Sequence, residues 1–138
     1  VDKVTDYTRQ TVVEEKEPVV LNEVGVDDKN LEIVRQGMRL VASSGGTASD
    51  FANYGVEIGA KTGTAEVTGH SDNMTFIAFA PYDEPEIAIA VVLEYGSSGT
   101  YSKAVARDML NAYFYGAYVD EDGEVKVPSA ADTLDKDE

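Results

Sequence analysis

A chain of 138 residues with 43% apolar content is long enough for one modest domain, or for a piece of a larger one, with a core of its own. Twenty-six acidic against 11 basic residues leave a net charge of −15, which argues against nucleic acid and against docking on an anionic membrane, since both need clustered Lys and Arg. With no cysteine there is neither a disulfide framework nor a thiolate metal site.

In chain order, residues 8–13 form a β-branched, strand-like run. Glu14-Glu15-Lys16-Glu17-Pro18 breaks it with charge and proline, and residues 18–20 read as a short extended piece. Asp27 or Asp28 is a fair N-cap for a helix over residues 29–43. Leu31, Val34, Met38 and Val41 recur at helical spacing and predict its core face, and Gly45-Gly46 stops it. Residues 47–54 fit either a short helix or a loop. Residues 56–67 read as a strand, followed by a polar turn over 68–72. Residues 74–80 and 87–93 are strands apolar on both faces, as central strands covered by helices are, and Pro81-Tyr82-Asp83-Glu84-Pro85 joins them as an antiparallel connection. Thr100 or Ser102 caps a last helix to Tyr115, with Tyr101, Val105, Met109 and Ala112 on one side and Gly116 at its end. Residues 117–138 read as an acidic, mobile tail. The sum is an α+β fold, an antiparallel sheet packed with helices.

The chemistry concentrates in Lys61-Thr62-Gly63-Thr64-Ala65-Glu66, on the first of the three strands. Lysine brings charge, the two threonines bring hydroxyl donors, and glycine leaves the backbone open to close approach, so the stretch suits a carboxylate. K-T-G is one of three signatures of β-lactamases and penicillin-binding proteins, beside S-x-x-K and S-D-N. No serine in the chain has a lysine three residues on.

The flanking segments agree in order. Gly37-Met38, Val41-Ala42 and Gly45-Gly46-Thr47-Ala48 precede the motif strand Gly59-Ala60-Lys61-Thr62-Gly63-Thr64-Ala65-Glu66. Phe76-Ile77-Ala78-Phe79-Ala80-Pro81 and Pro85-Glu86-Ile87-Ala88-Ile89-Ala90-Val91 follow it, and residues 103–114 close the set. Together they resemble the C-terminal part of the transpeptidase domain of a class B penicillin-binding protein of the elongation type, with a partial penicillin-binding, serine β-lactamase-like fold over residues 1–116.

The resemblance implies a peptidoglycan D,D-transpeptidase acting on stem peptides that end in D-Ala-D-Ala, and acylated by β-lactams, at the extracytoplasmic face of the bacterial membrane. It implies that Lys61 faces the substrate carboxylate and the serine of the S-x-N motif, that Thr62 and Thr64 donate hydroxyl hydrogen bonds to that carboxylate beside Gly63, and that the Thr64 N–H is half of the oxyanion hole. The nucleophilic serine is absent, so the chain reads as an inactive fragment whose partner is the N-terminal part of the same domain. No signal peptide or membrane-spanning run precedes the motif, and Val1 is not a natural start, so an anchor is expected upstream. No cofactor, metal or nucleic acid is implied, nor any direct membrane contact from this part. A non-catalytic penicillin-recognising sensor and an interaction module with an incidental K-T-G are the competing readings.

Other candidates reduce to plainer roles. Ser71-Asp72-Asn73 spells S-D-N but follows the K-T-G, where the family places it before, and sits in a turn rich in such residues anyway. The stretch from Gly55 to Thr62 lacks the glycine before lysine and the following helix that a phosphate loop needs. His70, the single histidine, has no nucleophile to serve and reads as a turn residue. The acidic clusters lack calcium-loop spacing, and Tyr113 and Tyr115 read as packing.

Overall fold

A computed structural model describes residues 3–17 and 19–127. Strand β1 (Lys3–Thr5) pairs antiparallel with β2 (Val12–Glu15), slipping register between Val4 and Thr5. The strand expected over 8–13 is thus displaced: residues 8–11 form the hairpin turn, and Glu14 and Glu15 lie in the strand that their charge was expected to break. Asp6 is the cause. Its Oδ1 accepts from Thr8 N at 3.1 Å, Thr8 Oγ1 at 2.7 Å and Thr11 N at 3.4 Å, and Arg9 turns through φ 62°. Local side-chain acceptors of this kind outcompete a β-branched run. Pro18 lies outside the described residues, and 19–20 have no regular structure.

Helix α1 (Asp28–Ala42) starts as expected, with Asp27 Oδ1 accepting from Lys29 N at 2.8 Å. Its core face is shorter than the periodicity predicts. Leu31 and Val34 are exposed, whereas Met38, Val41 and Ala42 are partly or fully buried, because α1 packs along the next strand mainly through its C-terminal half. Gly45 turns the chain at φ 87°, and Gly46 tucks under the helix end, where a Cβ would lie 2.2 Å from the Val41 carbonyl oxygen. Residues 47–54 contain one 3-10 turn (Ser49–Phe51), which drops Phe51 into the core, stacked on Phe76 at 5.6 Å.

Strands β3 (Gly59–Ala65), β4 (Asn73–Ala80) and β5 (Ile87–Leu93) form an antiparallel sheet in that order. The three predicted strands are all present, β3 shorter at both ends. Met74, Phe76, Ala78 and Ala80 of β4, with Ile89 and Val91 of β5, point into the core.

Helix α2 (Gly99–Tyr115) covers that face. Its N-cap is Ser98, whose Oγ accepts from Thr100 N at 3.3 Å, and Gly116 closes it at φ 65°. The buried residues are Ser102, Ala106 and Leu110, not Tyr101, Val105, Met109 and Ala112. The sheet already fills this layer with Phe76, Ile89 and Val91, so the helix turns small side chains toward it and leaves the bulky stripe outside.

Away from Phe79, over which Arg35 of α1 lies at 5.7 Å, the opposite face of the sheet is open among the described residues. Ile77, Ala88, Ala90 and Val92 are exposed there beside Met38. Within the segment expected to be a tail, β6 (Tyr118–Val119) pairs with β7 (Val125–Lys126) around a turn in which Asp120 Oδ1 accepts from Asp122 N at 3.1 Å and Glu124 N at 2.8 Å. The hairpin corrects the expectation of a mobile tail over 117–138 in its first half, and the remaining residues 128–138 lie outside the described residues.

Candidate functional site

Strand β3 is an edge strand: β4 occupies one side and no described strand the other. Alternation places Thr62 and Thr64 on the α2 face, opposite Phe76 and Met74, and Lys61 and Gly63 on the open face, opposite Ile77 and Thr75. The four residues of the motif therefore flank one free edge from both sides. Lys61 is exposed, and its Nζ donates to the Thr62 carbonyl oxygen. Gly63 has a steric reason: a Cβ there would meet Thr75 Oγ1 at 2.2 Å. Thr64 Oγ1 has only the weak acceptor Met74 Sδ, at 3.8 Å, so its proton is readily redirected to a better acceptor.

Thr62 Oγ1 lies 2.9 Å from Thr47 Oγ1, in the glycine turn after α1. That turn is tied to α2. Lys103 Nζ donates to the Thr47 carbonyl at 3.4 Å and pairs with the Asp50 carboxylate, while Arg107 donates to the Asp50 carbonyl and lies 5.0 Å from the Phe51 ring. The hydrogen bond from Lys103 holds the Asp50 carboxyl below the usual carboxylate range. Sequence alone assigns no role to Thr47, Lys103 or Arg107, since they meet only through the turn after α1. Both α2 residues flank the small stripe that is buried.

The remaining candidates are apart from this edge. Asn73 opens β4, and its Oδ1 accepts from Tyr95 N at 2.9 Å, while the Asp72 carbonyl accepts from Ser97 N at 3.3 Å. Ser71-Asp72-Asn73 thus links two loops. His70 stacks on Tyr95 at 4.6 Å in the same link. A hollow of 560 Å³ at the N-terminal end of β3 is lined by Arg39, Ser43, Ser44, Asn53 and Glu57 and contains none of the motif residues. Two of its lining residues, Arg39 and Glu57, form a bidentate pair at 2.5 and 2.8 Å. Tyr54 borders it, donates to Asn111 Oδ1 at 3.0 Å, and has its phenol pushed up to about 12 by burial. Among the described residues no three His, Asp or Glu side chains converge as a metal site.

Comparison with known proteins bears on the family and the fold. The family described as the penicillin binding protein transpeptidase domain matches residues 1–111. Penicillin-binding protein 2A of Bacillus subtilis is 35% identical over 118 residues, covering 75% of this chain and 16% of that protein. The peptidoglycan D,D-transpeptidase MrdA of Escherichia coli is 34% identical over 102 residues, covering 62% of this chain and 16% of that protein. Among solved structures, PBP2 of Pseudomonas aeruginosa superposes with a TM-score of 0.60 at 33% identity, over 84% of this chain and 26% of that one. The chain thus spans about one sixth of the length of the curated relatives it matches.

Proposed function

The chain belongs to the penicillin-binding protein transpeptidase family, class B, and on that premise we propose that it forms the carboxylate-binding wall of a D,D-transpeptidase active site. The observation that carries this reading is the placement of Lys61-Thr62-Gly63-Thr64 on the free edge of β3. A peptide ending in D-Ala-D-Ala, or a β-lactam in its place, lies along that edge as an added strand. Lys61 brings its ammonium to the terminal carboxylate and to the S-x-N serine of the parent protein, and Thr62 and Thr64 donate their hydroxyl protons to the same carboxylate. The Thr64 N–H is one donor to the developing oxyanion, a role whose loss costs about 10²–10³ in rate in serine acyl transfer. The nucleophilic serine comes from elsewhere in the parent, because no serine of this chain has a lysine three residues on. By itself the chain does not catalyse.

The partner is the remainder of the transpeptidase domain. Two exposed apolar surfaces support this: the open sheet face with Ile77 and Val92, and the α2 stripe of Tyr101, Val105, Met109 and Tyr113. Covering them removes the cost of hydrating large side chains at about 25 cal/mol per Å². Residues 1–116 belong to this domain and 117–138 lie beyond it, in line with a family match that ends at residue 111. On this reading the site works at the extracytoplasmic face of the membrane; no helix among the described residues is long and apolar enough to span it.

The test is the second-order acylation rate of the complete protein by a penicillin. Lys61 is exposed and contributes little to the core, while a charge-assisted contact in a partly water-excluded site is worth about 1.5–3 kcal/mol. Lys61→Ala therefore slows acylation by about one to two decades with an unchanged melt. Lys61→Arg recovers part of the loss, since a planar guanidinium does not replace an ammonium beside a serine hydroxyl. Parent-like acylation by Lys61→Ala, or a loss that tracks a lowered melting temperature, rules the anchor role out.

A further inference from the structure

Thr47 lies outside the K-T-G-T set, yet it places a hydroxyl on that set. Thr47 and Thr62 are joined Oγ1 to Oγ1 at 2.9 Å, and either can be the donor. The turn that carries Thr47 is fixed independently of β3. Ala48, fully buried, donates its N–H to the Val41 carbonyl at 2.9 Å. Gly46 packs against the Val41 and Leu40 carbonyls, where no Cβ fits. Lys103 holds the Thr47 carbonyl, and Lys103 and Arg107 hold Asp50 three residues further on.

A hydroxyl has one proton to give and two lone pairs to receive with. If Thr62 gives its proton to Thr47, it has none for a ligand. If Thr47 gives its proton to Thr62, the Thr62 proton is free to point outward. A carboxylate only accepts, so it selects the second arrangement, a chain running from Thr47 through Thr62 to the carboxylate. Hydrogen bonds in such a chain polarise one another. The first partner also holds the stiff χ1 of a β-branched side chain in place.

We propose that Thr47 is a positioning residue: from the glycine turn after α1 it orients the Thr62 hydroxyl so that its proton points at a ligand carboxylate. This rests on the reading, given above, that Thr62 contacts that carboxylate. It adds a residue 15 positions before Thr62 to the machinery, together with the two α2 cations that hold its turn.

The test uses the complete protein, with a penicillin and the methyl ester of the same penicillin as probes. Thr47 is exposed, so Thr47→Val keeps its shape without disturbing the core; a thermal melt checks this, and Thr47→Ala supplies the same comparison if the valine variant melts low. Thr47→Val is expected to slow acylation by the free acid roughly three- to tenfold, the effect of one hydrogen bond, and to leave the ester rate unchanged. Thr47→Ser keeps the hydroxyl and stays within about twofold of the parent, on the same reasoning. In a Thr62→Val background Thr47→Val adds nothing, because its only route to the ligand is gone. The proposal is overturned if Thr47→Val acylates like the parent while Thr62→Val is slow, if the two losses multiply, or if acid and ester are slowed alike. Thr62→Val acylating like the parent is a different failure: it removes the carboxylate reading itself, and this inference with it.

Discussion

Gly63 and Tyr54 show two kinds of constraint on single residues around β3. At Gly63 the limit is steric, set across the strand by Thr75. At Tyr54 it is dielectric: burial favours the neutral phenol and raises its pKa to about 12. A raised folded value means that folding favours the protonated form. The contribution is fully present below the ordinary tyrosine value of about 10, and is lost as pH rises through about 12. An ultraviolet titration is therefore expected to lose amplitude from its late phase in Tyr54→Phe. At neutral pH the same variant loses the bond to Asn111 and about 0.5–1.5 kcal/mol of stability. A late phase that keeps its full amplitude after the substitution assigns it to another tyrosine. At this scale the placement of residues is legible in the sequence where it follows from local geometry. Lys61, Thr62 and Thr64 are legible as donors on a strand, because strand alternation follows from covalent geometry. Thr47 is not, since its hydroxyl reaches Thr62 only through a turn whose path depends on Gly45, Gly46 and a buried Ala48.

Among the elements, strands β4 and β5 were the most legible, being short apolar runs bounded by proline and polar turns. Helix faces were less so. In α2 two stripes share the spacing i, i+4, i+8: Tyr101-Val105-Met109 and Ser102-Ala106-Leu110. Hydropathy favours the first, whereas the volume left by Phe76, Ile89 and Val91 admits the second. Substitution separates them. Ala106→Glu puts an unpaired charge in the core and is expected to remove cooperative folding, a loss above about 3 kcal/mol. Val105→Glu is expected to leave the melt of the 138-residue chain near its parent, yet to lower the melt of the complete protein if, as proposed, the rest of the domain covers the stripe. Tolerance of Val105→Glu in both settings would mean that the stripe faces solvent and that the rest of the domain docks elsewhere. The N-terminal hairpin was misplaced because the Asp6 turn overrides the β-branched pattern of residues 8–13.

As a whole the molecule has one core and two apolar faces without a cover among the described residues, on a chain that spans 16% of its curated relatives. Its net charge is −15; near the free edge the basic residues are Lys61 on the edge itself and Lys103 and Arg107 behind it, Lys103 paired with the Asp50 carboxylate. On the proposed reading the free edge of β3 is a wall that anchors an anionic group, and among the described residues no serine beside it has a lysine three residues on. The central claim is that the chain holds the carboxylate while the acylated serine belongs to another part of the parent. Mass spectrometry after incubation with excess penicillin tests this most directly, run in parallel on the 138-residue chain and on the complete protein. The account predicts no change in mass for the chain, and for the complete protein one penicilloyl group on a serine outside residues 1–138. A stoichiometric adduct on any serine of this chain, in either sample, would contradict it.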